Sequence, residues 1–236
     1  KKGPKLDIAV DPLEGTKFVA NNLHGALSVI SVAEKSNLLN APETYMNKIS
    51  ANVNDPNIID LDNSVKKNIY NLAEYKDKQP SDLTACILDR PRHKEIINEL
   101  KNLKVNLKLI TDGDVSGALL VTDQKYNVDI FLFIGGGPKG VLDTYALYAF
   151  DCFFQCRFLF DTIEDKTRAK KMGIIDLEKK YHLNEIITGD SIFCATGITS
   201  GDLVSGINID SNDFTSETLI THKSAGLKKI IKNKQK

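Results

Sequence analysis

The string Asp11-Pro12-Leu13-Glu14-Gly15-Thr16 carries the groups best suited to chemistry in this sequence. Asp11 and Glu14 lie three residues apart across a proline turn, so their carboxylates can converge on one hard divalent cation, which prefers oxygen ligands. The amide of Gly15 and the hydroxyl of Thr16 could then contact a phosphate held by that cation. An isolated Asp-x-x-Glu is more often a turn with two solvated carboxylates, and it is the whole string that favours a metal site.

Three further turns carry groups suited to phosphate or sugar. Arg90 and Arg92 flank a proline that stiffens the turn, and guanidinium groups bind phosphate oxygens through paired hydrogen bonds; an arginine pair facing solvent is the alternative. The turn Asp112-Gly113-Asp114 could accept hydrogen bonds from sugar hydroxyls, with the glycine allowing a close backbone approach, although Asp-Gly-Asp is also a common turn. The glycines before Pro138 open a helix whose free amides could hold an anion, or they serve tight packing.

The remaining candidates are weaker. Tyr45 could supply a hydroxyl at the rim of a sugar site or pack in the core, and His93 could assist phosphate binding or cap the following helix. Cys152 and Cys156 are predicted to share a helix face in the core rather than form a redox pair, and Cys194 is predicted to be buried. The other histidines are scattered and indicate no zinc site: His24, His182 and His222.

The elements that must position these groups alternate between strand and helix, which predicts a mixed α/β class. A first strand is predicted over residues 6–10, ending at Asp11-Pro12, and a second over residues 26–32. In the middle of the chain, strands at residues 84–88, 105–109 and 128–134 each run into a polar turn and then a helix. Ligands of open α/β sheets bind beyond the carboxyl ends of strands, so these turns are where a site is expected.

Other segments are predicted to be scaffold. Ser64 is expected to cap a helix, and a short helix is expected from Ser116. The charged residues 164–171 are predicted to be an exposed connection, and strands are predicted at residues 191–196 and 203–209. The basic end, residues 223–236, is predicted to be a frayed, solvated tail, because it lacks the interleaved aromatic residues of a nucleic-acid arm.

Composition bounds the class of protein. A chain of 236 residues with 42% apolar and 26% charged residues can bury a sizeable core, which excludes a disordered tail, a collagen-like repeat or a disulfide miniprotein. Its 31 basic and 31 acidic residues balance, so no nucleic acid or membrane partner is expected. The four sparse cysteines, the lack of a long apolar stretch and the lack of a signal-like start predict a cytoplasmic protein. Because the chain starts without methionine and reaches a strand by Leu6, an N-terminal piece is expected to be missing.

Taken together, these motifs resemble those of a known enzyme family. The string from Asp11 to Thr16 resembles the metal-binding signature of the lithium-sensitive sugar phosphatase superfamily, which contains inositol monophosphatases and fructose-1,6-bisphosphatases. The rest of the chain, from about Leu6 to about Lys223, is similar to class II, bacterial-type fructose-1,6-bisphosphatases. The further motifs that carry this similarity are Leu39-Asn40-Ala41-Pro42-Glu43-Thr44-Tyr45-Met46, Arg90-Pro91-Arg92-His93, Asp112-Gly113-Asp114, the glycine-rich turn through Gly140, and Ala195-Thr196-Gly197-Ile198-Thr199.

The resemblance implies a fold and a domain organisation. The expected fold is the layered α/β sugar-phosphatase fold, of the inositol monophosphatase and fructose-1,6-bisphosphatase type, lacking its N-terminal segment. Residues 1–222 are expected to form the core and residues 223–236 the basic tail. A homo-oligomer, dimer or tetramer, is implied by the resemblance alone.

The resemblance also implies an activity. The family hydrolyses the 1-phosphate of fructose 1,6-bisphosphate to fructose 6-phosphate and phosphate in gluconeogenesis, with Mn²⁺ or Mg²⁺ activating the attacking water. By resemblance, Asp11 and Glu14 match ligands of that metal, and Thr16 is the catalytic residue that positions the water or the phosphate. The positions that match substrate-binding residues are Glu14, Gly15, Thr16, Tyr45, Arg90, Pro91, Arg92, Asp112, Gly113, Asp114 and Gly136.

The sequence departs from the family pattern at Lys139, where the family has a glutamate ligand of the metal also held by Asp11 and Glu14. An ammonium cannot ligate a cation. Three interpretations stay open: Lys139 stands in for the metal by pairing with Asp11, Glu14 or the phosphate; the site is degenerate; or the side chain points away. The alternatives to the expected activity are a second substrate, sedoheptulose 1,7-bisphosphate, and a remnant that binds sugar phosphate without turnover.

Overall fold

The computed structural model of the chain describes residues 3–210 and 213–235. The outer limits of the two predicted domains, residues 1 and 236, therefore lie outside the described residues. The strands are Leu6–Glu14 (β1), Leu27–Glu34 (β2), Tyr45–Ala51 (β3), Thr84–Leu88 (β4), Asn106–Ile110 (β5), Ile130–Gly136 (β6), Phe153–Leu159 (β7), Tyr181–His182 (β8), Ser191–Gly197 (β9), Asn208–Asp210 (β10), Asp213–His222 (β11) and Leu227–Gln235 (β12). The α-helices are Thr16–Ala20 (α1), Val65–Tyr75 (α2), Lys94–Asn102 (α3), Asp114–Leu119 (α4), Gly137–Tyr148 (α5), Ile163–Lys171 (α6) and Leu183–Ile186 (α7).

Within the described residues, the strands form two six-stranded sheets. The first sheet has the order β1-β2-β9-β11, all antiparallel, with β10 and β12 also paired to β11. The second has the order β5-β4-β6-β3-β7-β8, in which β4 is parallel to both β5 and β6. The parallel pairing places the ends of three strand-turn-helix units at one edge, as the sequence predicts.

Two hydrophobic cores lie on opposite faces of the second sheet. Cys86 and Leu88 of β4 belong to the core between the two sheets, which also contains the buried faces of α4 and α5. Their neighbours Ala85 and Ile87 belong to the other core, beneath α2 and α3. Successive side chains of a strand point to opposite faces, so one short strand serves both cores. The result is a sheet, helix, sheet, helix layering, which confirms the predicted layered α/β fold. No helix in the described part of the chain is long and apolar enough to span a membrane.

The strand predicted over residues 6–10 is longer than expected. It continues through Asp11 and Pro12 to Glu14, with a shift of register between Asp11 and Glu14. Proline is tolerated here because β1 is an edge strand of its sheet and the bulge leaves the proline without a ladder bond to make. The strand predicted at residues 105–109 is confirmed one residue later, as β5 at Asn106–Ile110.

Several other predictions are wrong. The charged segment at residues 164–171 is helical: Thr162 accepts a hydrogen bond from Asp165 N (3.1 Å), and this cap compensates for the lack of an apolar face. The helix expected from Ser116 begins two residues earlier, at Asp114. The strand predicted at residues 203–209 is restricted to Asn208–Asp210.

The cysteines also lie differently from the prediction. Cys156 is in strand β7 and Cys152 precedes it, so they share no helix face, because the run of aromatic residues at 153–154 favours a strand. Both are buried, and burial raises the pKa of Cys152 to about 12. Cys194 is half-buried rather than buried.

The basic end is not a frayed tail. Leu227–Gln235 forms β12, which pairs with β11 along its whole length. The hairpin turn is closed by Gly226 N donating to Lys223 O (2.9 Å), and Gly226 has a positive φ of 60°. Lysines along an exposed edge strand discourage pairing with other chains, which explains why a lysine-rich segment is compatible with a strand.

A buried ion pair fixes α5 against β3. Lys48 Nζ lies 2.6 Å from Asp143 Oδ2, and neither side chain is exposed to solvent. Burial raises the pKa of Asp143 to about 6, against the opposing effect of the Lys48 charge. Removing one partner of such a pair leaves an uncompensated buried charge.

We therefore expect Lys48→Met to lower the free energy of unfolding at pH 7 by about 3–5 kcal/mol, as measured by urea denaturation. The double variant Lys48→Met, Asp143→Leu should recover most of this loss, since it removes both charges. A single variant as stable as the wild type would contradict the structural role given to this pair.

Candidate functional site

The turns that follow β1 and β5 hold each other in place. Glu14 Oε1, at the end of β1, accepts a hydrogen bond from Val115 N in the first turn of α4 (3.1 Å). In return, Asp112 Oδ2, after β5, accepts one from Lys17 N in the first turn of α1 (2.9 Å). Each turn thus supplies the carboxylate that caps the helix of the other turn, where free backbone amides need an acceptor.

The ring of Phe18 fills the space between these turns and explains their glycines. Gly15 and Gly113 both have φ of +86°, a conformation that other residues rarely adopt. A Cβ at Gly15 would lie 2.6 Å from Phe18 Cδ2, and one at Gly113 would lie 2.7 Å from Phe18 Cε2. The close approach of Gly113 is therefore to Phe18 within the fold, and its contact with a substrate stays a prediction.

A cleft of about 580 Å³ opens beside the interlocked turns. It brings together charged groups from distant parts of the sequence: Asp11 of β1, Arg92 after β4, Asp114 of α4 and Lys139 of α5. Gly136, at the end of β6, lines the same cleft. Four of the residues predicted for the site therefore share one cavity, at the edge where the parallel strands end.

Tyr45 and Arg92 form the rim. Tyr45 is 46% exposed and lines an adjoining cleft of about 390 Å³ that shares Gly136. The Arg92 guanidinium lies over the Tyr45 ring at 5.1 Å from its centroid, a favourable cation–π contact. Arg92 Nε donates to Ile134 O (2.7 Å), which leaves the two terminal nitrogens for other acceptors. Arg90 instead donates to Asp89 O (3.2 Å), and it is not among the described residues that line the cleft.

Thr16 and the glycine-rich start of α5 were also predicted for the site, and the described lining of the cleft includes neither Thr16 nor Gly137. Thr16 is an exposed residue at the start of α1, so its hydroxyl is accessible to a ligand. At the start of α5, Gly137 N already donates to Thr44 O (2.7 Å) and Pro138 has no amide hydrogen. The row of free amides expected there is therefore shorter than the sequence suggests.

Lys139 is bound within the site. Its Nζ lies 3.2 Å from Asp11 Oδ2. Burial alone would lower the pKa of Lys139, but the carboxylates of Asp114, Glu14 and Asp11 outweigh this effect and raise it. Burial, followed by the charge of Asp114, holds the pKa of Glu14 well above its usual range, although Lys139 opposes this shift. The expectation that Lys139 could point away is therefore wrong.

These residues do not fit the Mn²⁺ or Mg²⁺ ion that the resemblance implies at Asp11 and Glu14. One carboxylate of the pair holds an ammonium group, and Glu14 Oε1 is used by the Val115 amide. Glu14 Oε2 is buried without a hydrogen-bond partner. Among residues 3–210 and 213–235, no three His, Cys, Asp or Glu side chains are grouped so that they could hold a metal ion.

His93 has a role that sequence reasoning missed. Its ring is fully buried, with Nδ1 2.8 Å from Leu88 O, and Nε2 accepts a hydrogen bond from Ile134 N (2.9 Å). Because Nε2 is an acceptor, the proton of the neutral ring is assigned to Nδ1, which donates to Leu88 O. The ring therefore connects β4 to β6 and positions the turn that carries Arg92, rather than capping α3 or contacting phosphate. The only sequence signal was its place directly after that turn.

Acid should disrupt this connection. Burial, the largest cause, lowers the pKa of His93 below its usual value of 6.5, so the unfolded chain binds a proton at a higher pH than the folded chain. The His93 contribution to the free energy of unfolding should therefore be complete above pH 7 and fall as the pH drops through 6.5 towards 5. We expect the free energy of unfolding of His93→Gln, measured by chemical denaturation, to fall less between pH 7 and pH 5 than that of the wild type.

The exposed residue His24 provides the matched control. The change of slope in His93→Gln should exceed that in His24→Gln, because the buried His93 ring joins two strands whereas His24 is exposed. Identical slopes for wild type and His93→Gln would contradict the assignment of the neutral ring.

Comparisons with known proteins identify the family of the chain. Residues 1–235 match the family described as bacterial fructose-1,6-bisphosphatase, glpX-encoded. A protein of Synechococcus sp. (strain JA-3-3Ab) is 35% identical over 229 residues, covering 92% of this chain and 66% of that protein. Relatives from Trichodesmium erythraeum (34% identical over 229 residues, 92% and 66% covered) and Synechocystis sp. (31% over 240 residues, 96% and 70% covered) are similar. All three are named D-fructose 1,6-bisphosphatase class 2/sedoheptulose 1,7-bisphosphatase, and the chain spans 66% to 70% of their lengths.

Proposed function

The chain belongs to the bacterial fructose-1,6-bisphosphatase family, and from that premise we propose that it binds fructose 1,6-bisphosphate in the cleft and hydrolyses the 1-phosphate. The products are fructose 6-phosphate and phosphate, as in gluconeogenesis. The observation that carries the proposal is the convergence of Arg92, Lys139 and Asp114 on one cleft with Tyr45 at its rim. Cationic groups suit the phosphate, and carboxylate and phenol groups suit the sugar hydroxyls.

Each site residue has a proposed role. Arg92 and the Arg90 turn bind a phosphate group, and Tyr45, Asp112 and Asp114 contact the sugar. Thr16, exposed at the start of α1, positions the attacking water or the phosphate. The proposed contacts of the backbone at Gly15, Gly113 and Gly136 and of Pro91 and Glu14 rest on the resemblance of their motifs.

Phosphatases of this family depend on metal ions. The choice between Mn²⁺ and Mg²⁺ stays a prediction, and the residues at Asp11 and Glu14 fit neither ion.

Phosphate release from fructose 1,6-bisphosphate tests the proposal, with Mn²⁺, with Mg²⁺ and with a chelator. We expect one phosphate per substrate molecule and fructose 6-phosphate as product. The names of the relatives favour sedoheptulose 1,7-bisphosphate as a second substrate, and the same assay with that sugar decides between a single and a dual activity.

A second candidate function is sugar bisphosphate binding without turnover. The ion pair between Lys139 and Asp11 favours it, since this pair occupies a carboxylate that the expected metal needs. Saturable binding of fructose 1,6-bisphosphate without phosphate release under any of the three metal conditions would support this function over hydrolysis.

Substitution of Arg92 should weaken the binding of fructose 1,6-bisphosphate. Arg92→Lys loses the planar group that donates to Ile134 O while presenting two nitrogens to the cleft, so we expect the dissociation constant to rise roughly tenfold or more, measured by calorimetry. Arg157→Lys is the matched control, because Arg157 Nε also donates to a backbone oxygen, Glu178 O (2.8 Å), away from the cleft. Equal affinities for the two variants would contradict the role of Arg92.

We also propose a homo-oligomer, dimer or tetramer, and a cytoplasmic location. The outward side chains of β1 support a protein partner, since Leu6, Ile8 and Val10 are 46%, 58% and 54% exposed. Light scattering measures the oligomeric state, and a monomer at all concentrations would contradict the first of these two proposals.

A further inference from the structure

Lys139 lies where the cleft meets a group of carboxylates. Its Nζ is 3.2 Å from Asp11 Oδ2, and the two side chains are 37% and 20% exposed. The pair is therefore partly shielded from water, where an opposite charge is held more strongly than on an open surface.

Two further carboxylates belong to the same part of the structure. Glu14, three residues after Asp11, is fully buried, and Asp114, which lines the same cleft as Lys139, is 6% exposed. Glu14 Oε2 is buried and has no hydrogen-bond partner. A negative charge on this buried carboxyl group needs a nearby cation, and without one the group takes up a proton instead. Among the described residues, Lys139 is the cation that forms an ion pair with Asp11, and it lines the cleft together with Asp114.

We propose that Lys139 is the resident cation of this site: its ammonium group occupies the place beside Asp11 and Glu14 that a divalent metal would need, and it binds a phosphate group of the substrate directly. The identity of that substrate rests on the proposed function. The occupation of the cation position does not depend on it.

The chemistry of the ammonium group fits both parts of the proposal. It has three N–H donors and no lone pair, so it can bind a carboxylate and a phosphate at once but cannot ligate a metal. Lys139 and Arg92 line the same cleft, so a phosphate placed there would meet two cations. A divalent metal would need several oxygen ligands and would have to displace Lys139 from Asp11 against like-charge repulsion.

Manganese titration tests the first part. We expect the wild-type chain to bind Mn²⁺ weakly in calorimetry, and Lys139→Glu to bind it at least about tenfold more tightly, because a carboxylate replaces the ammonium group. The melting temperature of Lys139→Glu should rise with Mn²⁺, whereas that of the wild type should not. Lys139→Met, which adds no charge, should show intermediate binding and guards against poor folding of the glutamate variant.

Substrate binding in excess chelator tests the second part. The wild type should bind fructose 1,6-bisphosphate without any divalent metal, and Lys139→Met should bind it roughly tenfold to a hundredfold more weakly. Lys101→Met is the matched control, since Lys101 is exposed on α3 away from the cleft and its loss should leave the affinity unchanged.

Two results would overturn the proposal. Equal Mn²⁺ affinity in wild type and Lys139→Glu would contradict the resident cation, and equal bisphosphate affinity in wild type and Lys139→Met would contradict the phosphate contact. A wild-type chain that binds no bisphosphate, with or without metal, would contradict the proposed function and the phosphate contact. The manganese titration would still show whether Lys139 or a metal ion lies beside Asp11. Failure of the proposed function and failure of the resident-cation proposal are therefore distinguishable.

Discussion

Two hydrogen bonds, each from a backbone amide of one turn to a carboxylate of the neighbouring turn, hold the whole site together. Glu14 caps α4 and Asp112 caps α1, and the Phe18 ring fills the gap between Gly15 and Gly113. These bonds connect the first sheet, which carries β1, to the second, which carries β5. Asp11, at the β1 bulge, and Asp114, at the start of α4, thereby line the same cleft. A site that joins two sheets needs such a connection, because neither sheet alone brings these carboxylates together.

The same arrangement creates an electrostatic problem, since several carboxylates converge where a phosphate is expected to bind. Three positive charges could solve it: a metal ion, Arg92 and Lys139. The 3.2 Å contact between Lys139 and Asp11 places an ammonium group inside the carboxylate set, and Arg92 stands at the rim on the Tyr45 ring. His93 contributes indirectly, because its uncharged ring connects β4 to β6 without adding charge beneath the cleft. The proposed role of Lys139 would make phosphate binding and metal binding separable properties in this chain.

The sequence predicted the parts of this molecule that depend on local pattern. The layered α/β class, the strand at residues 84–88, the Ser64 cap and the turns of the cleft follow from periodicity and turn chemistry. Apolar periodicity could not predict α6, which begins at the Thr162 cap and has no apolar face, or β12, whose lysine-rich segment is a strand through its pairing with β11. It also could not assign His93, because both of its partners are backbone atoms of other strands. At Lys139 the sequence left three interpretations open, and the contact with Asp11 in the folded chain excludes the one in which the side chain points away.

The central claim is that an ammonium group, and not a divalent metal, lies beside Asp11 and Glu14. A crystal structure of the chain grown with fructose 1,6-bisphosphate and Mn²⁺, with anomalous scattering recorded for manganese, tests it most directly. We expect a phosphate group in contact with both Lys139 and Arg92, and no manganese peak between the carboxylates of Asp11 and Glu14. A manganese peak ligated by these two carboxylates, with Lys139 displaced from Asp11, would contradict the claim.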